Sequence, residues 1–120
     1  MTARRVALLL SLGGSTETNA TALKLADRIL ARGHRVAVFA HDDAVALSSG
    51  EGEVAAAVAA LLRRGLHGGT LDWVVDAGAA RRLGVLERQV PGVVPGDHGD
   101  LWRFVSQADV VLSVAGQGPA

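Results

Sequence analysis

Apolar positions along the chain follow two rhythms that alternate from segment to segment. Val6-Ala-Leu-Leu-Leu-Ser-Leu12 is a continuous apolar run, the pattern of a strand covered on both faces. Ala22, Leu25, Ala26 and Ile29 then fall at i, i+3, i+4 and i+7, one face of a helix that Gly33 is placed to end. Residues 35–39 (RVAVF) read as the next strand, completing a βαβ unit. Val54, Val58, Leu61 and Leu62 stripe a second helix, closing on Arg63-Arg64-Gly65 with cations in the last turn and a glycine stop. Residues 71–75 form a third strand and 77–83 a short third helix. Leu101, Phe104, Val105 and Ala108 mark a fourth helix, and residues 109–114 a last strand. The stretches "AHDDAVALSSGEGE" and "QVPGVVPGDHGD" read as loops, the second with a brief pairing segment at Val93-Val94.

Strands and helices alternating at these lengths predict an α/β fold: a three-layer α/β/α sandwich with a mostly parallel sheet of about five strands. No repeat or linker interrupts the pattern, so residues 1–120 read as one domain. Ligands in such sheets sit beyond the carboxyl ends of the strands. Here those ends are residues 11–18, 41–43, 76–78 and 113 onward, with the 91–100 loop able to fold over the same edge.

Composition narrows the chemistry. Lys+Arg and Asp+Glu are 12 each, so no net charge recruits nucleic acid or an anionic membrane, and neither is expected as a partner. The first apolar run is too short to span a bilayer and leads into a glycine loop and a helix, which points to a cytoplasmic protein. The cysteine count is zero, which excludes disulfides, thiolate metal sites and any cysteine nucleophile.

Several residues are candidates for a site. The loop "SLGGSTETNAT" precedes a helix, so backbone amides around Gly13, Gly14 and Ser15 could hold a small anion. It is neither a Walker loop nor Gly-x-Gly-x-x-Gly, and a turn with Ser15, Thr16 or Thr18 as helix cap, the favoured reading, explains it without a ligand. His41, Asp42 and Asp43, with Asp97, His98 and Asp100 further on, offer oxygen and imidazole, but their spacing matches no metal motif; neither metal nor cofactor is expected. Asp100 is placed to cap the fourth helix, and His34 and His67 lie at turns. Asp76 ends a buried strand and starts a helix beside Gly78, where a carboxylate caps orphan amides and complements the helix dipole. The same position suits a reactive anion, with His41 or His98 assisting as acid or base. Trp73 is expected to pack on the sheet and Trp102 to lie off the core stripe of its helix.

The order of these features resembles the DsrE/DsrF-like family, including its TusD-type sulfur-relay subunits. The resemblance covers nearly the whole chain. It rests on Gly33-His34-x-Val36-x-Val-Phe39 before an acidic "DAV", on Arg82-x-Gly84-Val85 past a strand end, and on Ala108-Asp109-Val-Val. It implies a compact α/β/α subunit that assembles as a trimer or hexamer of itself, or with a related subunit. In sulfur-transferring members a cysteine just before the Arg-x-Gly helix carries a persulfide, and counting back from Gly84 that place falls at or next to Asp76. This chain therefore departs from the family at its most important residue. Three functions follow: a non-catalytic structural or ligand-binding subunit, a small enzyme using Asp76 as general acid or base, or a sensor of a small anionic metabolite.

Overall fold

The computed structural model describes residues 3–11, 17–68 and 70–114. The strands are β1 (Arg5–Leu10), β2 (Arg35–Ala40), β3 (Leu71–Asp76), β4 (Val94–Gly96) and β5 (Val110–Val114). The helices are α1 (Glu17–Ala31), α2 (Glu53–Gly68), α3 (Ala77–Arg82) and α4 (His98–Gln107). The strands form one sheet in the order β4-β3-β2-β1-β5, and every pairing is parallel. The α/β sandwich expected from the alternation is the one that forms.

Strand order explains the layers. From β1 to β4 the chain steps across the sheet in one direction, so right-handed crossovers put α1, α2 and α3 on one face. The return from β4 to β5 runs the other way and puts α4 alone on the opposite face. The cores follow that split. Leu8, Leu10, Val36, Val38, Trp73 and Val75 pack with Ala22 and Ala26 of α1, Val58, Leu61 and Leu62 of α2, and Ala79 and Ala80 of α3. On the other face Ala7, Phe39 and Val74 pack against Phe104 of α4. Small alanines on α1 and α3 let those helices lie close to the sheet, while Trp73 and Phe39, both fully buried, fill the largest volumes.

Local details depart from the pattern reading in several places. Leu25 is 39% exposed, because the buried arc of α1 is rotated toward Leu23 and Leu30 and leaves Leu25 on its margin. The second helix does not stop at Gly65 but runs to Gly68. One glycine inside a helix costs only about 1 kcal/mol, which packing of α2 on β3 offsets. His67 consequently falls within a helix rather than at a turn. Gly33 does end its helix region, with φ +85°. Its neighbour His34 accepts a hydrogen bond at Nδ1 from the Arg4 backbone N–H at 3.0 Å.

The polar stretch after β2 is not a solvated loop. It forms a 3-10 helix over Asp42–Ala46, and Ala44, Val45, Leu47 and Ser48 are all buried. Its three apolar side chains reach the core beside α3. Gln89 clamps this segment from across the fold: its Nε2 donates to the carbonyls of Val45 (2.9 Å) and Val85 (3.2 Å), and its Oε1 accepts from the Ser48 hydroxyl. Val94 does pair, but in a strand that continues through Pro95 to Gly96. Proline is tolerated there because β4 is an edge strand.

Among the described residues no helix is long and apolar enough to cross a membrane.

Candidate functional site at the carboxyl edge

Side chains alternate between the faces of a strand, so Ala7, Phe39 and Val74, which face α4, fix the direction of the residues two positions on. That period brings Ser11, His41 and Asp76 to the α4 side at the ends of β1, β2 and β3. Ala40 pairs with Val75, which makes His41 and Asp76 the next neighbours across the β2–β3 edge. Gly96 is the register partner of Asp76, and α4 begins two residues later at His98. Four segments far apart in sequence thus meet at one edge.

Phe39 is the platform between the two histidines. Its ring centroid lies 6.3 Å from that of His41 and 6.5 Å from that of His98, with tilted planes in both cases. The phenyl ring is fully buried, while His41 is half-buried and His98 exposed. His41 Nδ1 sits 3.1 Å from Asp42 Oδ2. Asp42 itself has φ +51°, in the left-handed region that Asp tolerates better than most residues. Asp43 beside it is exposed.

Asp76 is half-buried and caps α3: its Oδ1 accepts from the Gly78 backbone N–H at 3.1 Å. Among the described residues the carboxylate makes no second hydrogen bond. Gly78 therefore serves through its amide.

The start of α4 is held by a capping box. Asp97, not Asp100, is the N-cap, and its Oδ1 accepts from Gly99 N (2.8 Å) and Asp100 N (3.3 Å). Asp100 Oδ2 accepts in return from Asp97 N at 3.0 Å, and its Oδ1 pairs with Arg103 Nη2 at 3.0 Å. Gly96 sits where a side chain cannot: a Cβ there would collide with the Asp100 carboxylate and come within 2.6 Å of Val74 Cγ1. The close approach of β4 to α4, which sets the place of His98, depends on that glycine.

Of the candidates read from the sequence, Asp76, His41, His98, Asp43 and Gly78 are brought to this edge. Gly13, Gly14 and Ser15 lie outside the described residues. Among those described, no group of three or more His, Asp or Glu side chains gathers at metal-binding distance. The sequence reading missed Phe39 as a shared platform, Gly96 as a close-approach position and Asp97 as the cap. Only the last had a sequence signal, the Asp97-x-x-Asp100 spacing of a capping box.

The fold recurs in solved structures. The ychN protein of E. coli superposes with a TM-score of 0.73 at 18% identity, over 92% of this chain and 98% of that one. MTH1491 of Methanobacterium thermoautotrophicum, a protein of unknown function, gives 0.74 at 15% identity over 92% and 98% of the two chains. BT1422 of Bacteroides thetaiotaomicron, also of unknown function, gives 0.72 at 14% identity over 92% and 95%. No curated protein matches in sequence. The sequence profile of the DsrE/DsrF-like family matches residues 4–114, which is nearly the whole chain, and the chain belongs to that family.

Proposed function

We propose that this chain is a cysteine-less DsrE/DsrF-like subunit with a structural or ligand-binding role, assembled as a homo-trimer or homo-hexamer or with a related subunit in the cytoplasm. One observation carries the reading. By the family resemblance, the place where sulfur-transferring relatives hold a cysteine falls at or next to Asp76, whose carboxylate is engaged as a helix cap. A carboxylate oxygen cannot form a persulfide, and no other residue of the chain supplies a thiol. Assembly is supported by Trp102, 70% exposed on α4, and by Val94 and Val111, which stand exposed on the two edge strands. A large aromatic side chain left in solvent suits a subunit interface.

The test joins oligomeric state to a neutral substitution. Light scattering on the purified protein is expected to show a defined oligomer, or a related subunit to co-purify with it. Asp76→Asn, which keeps an oxygen acceptor for Gly78 N, is expected to preserve cellular activity. A monodisperse monomer without a partner would overturn the assembly reading.

The clustering of His41 and His98 on Phe39, with Asp76 next to His41 in register, favours one second reading. In it the chain is a small enzyme, and Asp76 exchanges a proton with substrate while an imidazole assists. That reading expects Asp76→Asn to abolish turnover at unchanged thermal stability. A third role, sensing a small anionic metabolite at Gly13-Gly14, rests on the sequence alone.

A further inference from the structure

The face of the sheet covered by α4 alone holds a groove of about 500 Å³ at the opposite, amino-terminal edge. Asp76, His41 and His98 do not line it. It runs from the first residues of β1 and β2 along the flank of α4 to Val94 on β4. Its floor is apolar, formed by Ala7, Ala37, Val74 and Phe104. Its rim carries Arg5 and Arg35, which are register partners on adjacent strands and share the side-chain parity of Ala7 and Ala37. Parallel strands lie about 4.8 Å apart, so the two arginine side chains leave adjacent strands on the face that carries the apolar floor. Like charges directly opposite one another on a sheet destabilise it. Among the described residues neither guanidinium forms an ion pair, although the Asp109 carboxylate, whose Oδ2 accepts from the Arg5 backbone N–H at 2.8 Å, lies beside Arg5.

We propose that this groove binds a small organic monocarboxylate, with its carboxylate held by Arg5 and Arg35 and its apolar body laid on Ala37, Val74 and Phe104. Three features select that chemistry. A pair of planar guanidinium forks matches a carboxylate and presents several donors to it. The groove's three arginines (Arg5, Arg35, Arg103) stand against two acids (Asp72, Asp100), one net positive charge, which suits a monoanion and disfavours a polyanion. Apart from Thr70 and Gln107, the remaining lining is apolar or glycine, and the volume fits a small molecule. Arg103 is already paired with Asp100, so the carboxylate falls to the two strand arginines.

The test uses the whole protein and three probes, followed by NMR chemical-shift titration of backbone amides. Phenylacetate carries charge and body, acetate the charge alone, and 2-phenylethanol the body alone. Phenylacetate is expected to shift amides of residues 35–37, 72–74 and 103–107. The other two probes are expected to bind about tenfold more weakly or worse, as befits loss of the apolar body or of a charge-assisted hydrogen bond. Arg5→Gln and Arg35→Gln are each expected to weaken phenylacetate binding by about tenfold while leaving the melting temperature of the free protein unchanged or raised, since the like-charge pair is relieved. A merely structural arginine would instead lower it. Absence of binding by phenylacetate, equal binding by acetate, or undiminished binding by both variants would overturn the proposal.

Discussion

Gly96→Ala is the substitution to which this fold is expected to be most sensitive for its size. The new methyl would stand 2.6 Å from Val74 Cγ1 and would overlap the Asp100 carboxylate. Ordinary carbon–carbon contact is about 3.5–4.0 Å, so roughly 1 Å of movement is required. Val74 is 4% exposed in a central strand and cannot supply it. Asp100 can, but only by leaving Asp97 N and Arg103, which undoes half of the capping box. Overpacking costs about 1–3 kcal/mol and a lost cap about 1 kcal/mol, so the expected destabilisation is about 2–4 kcal/mol. Urea unfolding followed by circular dichroism measures it as a lowered midpoint at unchanged slope. A double-mutant cycle with Asp100→Ala isolates the cause. Asp100→Ala alone removes the cap interaction, at about 1 kcal/mol. Because it also removes one of the two clashing groups, the double variant is expected to be more stable than the sum of the singles implies, by about 1 kcal/mol. If Gly96→Ala changes stability by less than about 0.5 kcal/mol, or if the two substitutions are strictly additive, the close-approach argument is refuted.

Other consequences can be measured in the same way. Asp76→Ala removes the acceptor for Gly78 N and is expected to cost about 1 kcal/mol, lowering the melting temperature by roughly 3–6 °C, whereas Asp76→Asn is expected to lose less than half of that. Equal losses for the two would show that charge rather than capping is what the position supplies. Gln89→Leu leaves the buried Ser48 hydroxyl and the Val45 carbonyl without that partner, while the Val85 carbonyl keeps the Arg88 backbone N–H, and it is expected to cost about 1–3 kcal/mol in urea unfolding; a neutral result would mean that the clamp does not hold the buried 42–48 segment. The indole N–H of Trp73 is buried with no hydrogen-bond partner among the described residues, so Trp73→Phe gives up volume but no hydrogen bond. Its expected cost is about 1–2 kcal/mol, below the roughly 3–5 kcal/mol of a full aromatic truncation, and Trp73→Ala in parallel sets that scale.

What could be read from the chain alone follows from which signals are local. The apolar run of residues 6–12, the i, i+3, i+4 stripes and the glycine stop at Gly33 are all dictated by neighbours within one or two turns. The alternation of elements and the parallel sheet were therefore legible, and the capping role of Asp76 with them. The lack of cysteine was equally decisive, because no fold can create a thiolate from a chain that has none. Tertiary structure decided the rest, because those properties depend on residues that meet only after folding. It pulled the polar-looking 42–48 segment into the core, since Ala44, Val45 and Leu47 found apolar partners around α3. It joined His41 and His98 through Phe39, a relation between strand ends that no spacing encodes. It also set Arg5 beside Arg35, because strand register is fixed by pairing across the sheet and not by the order of residues along it.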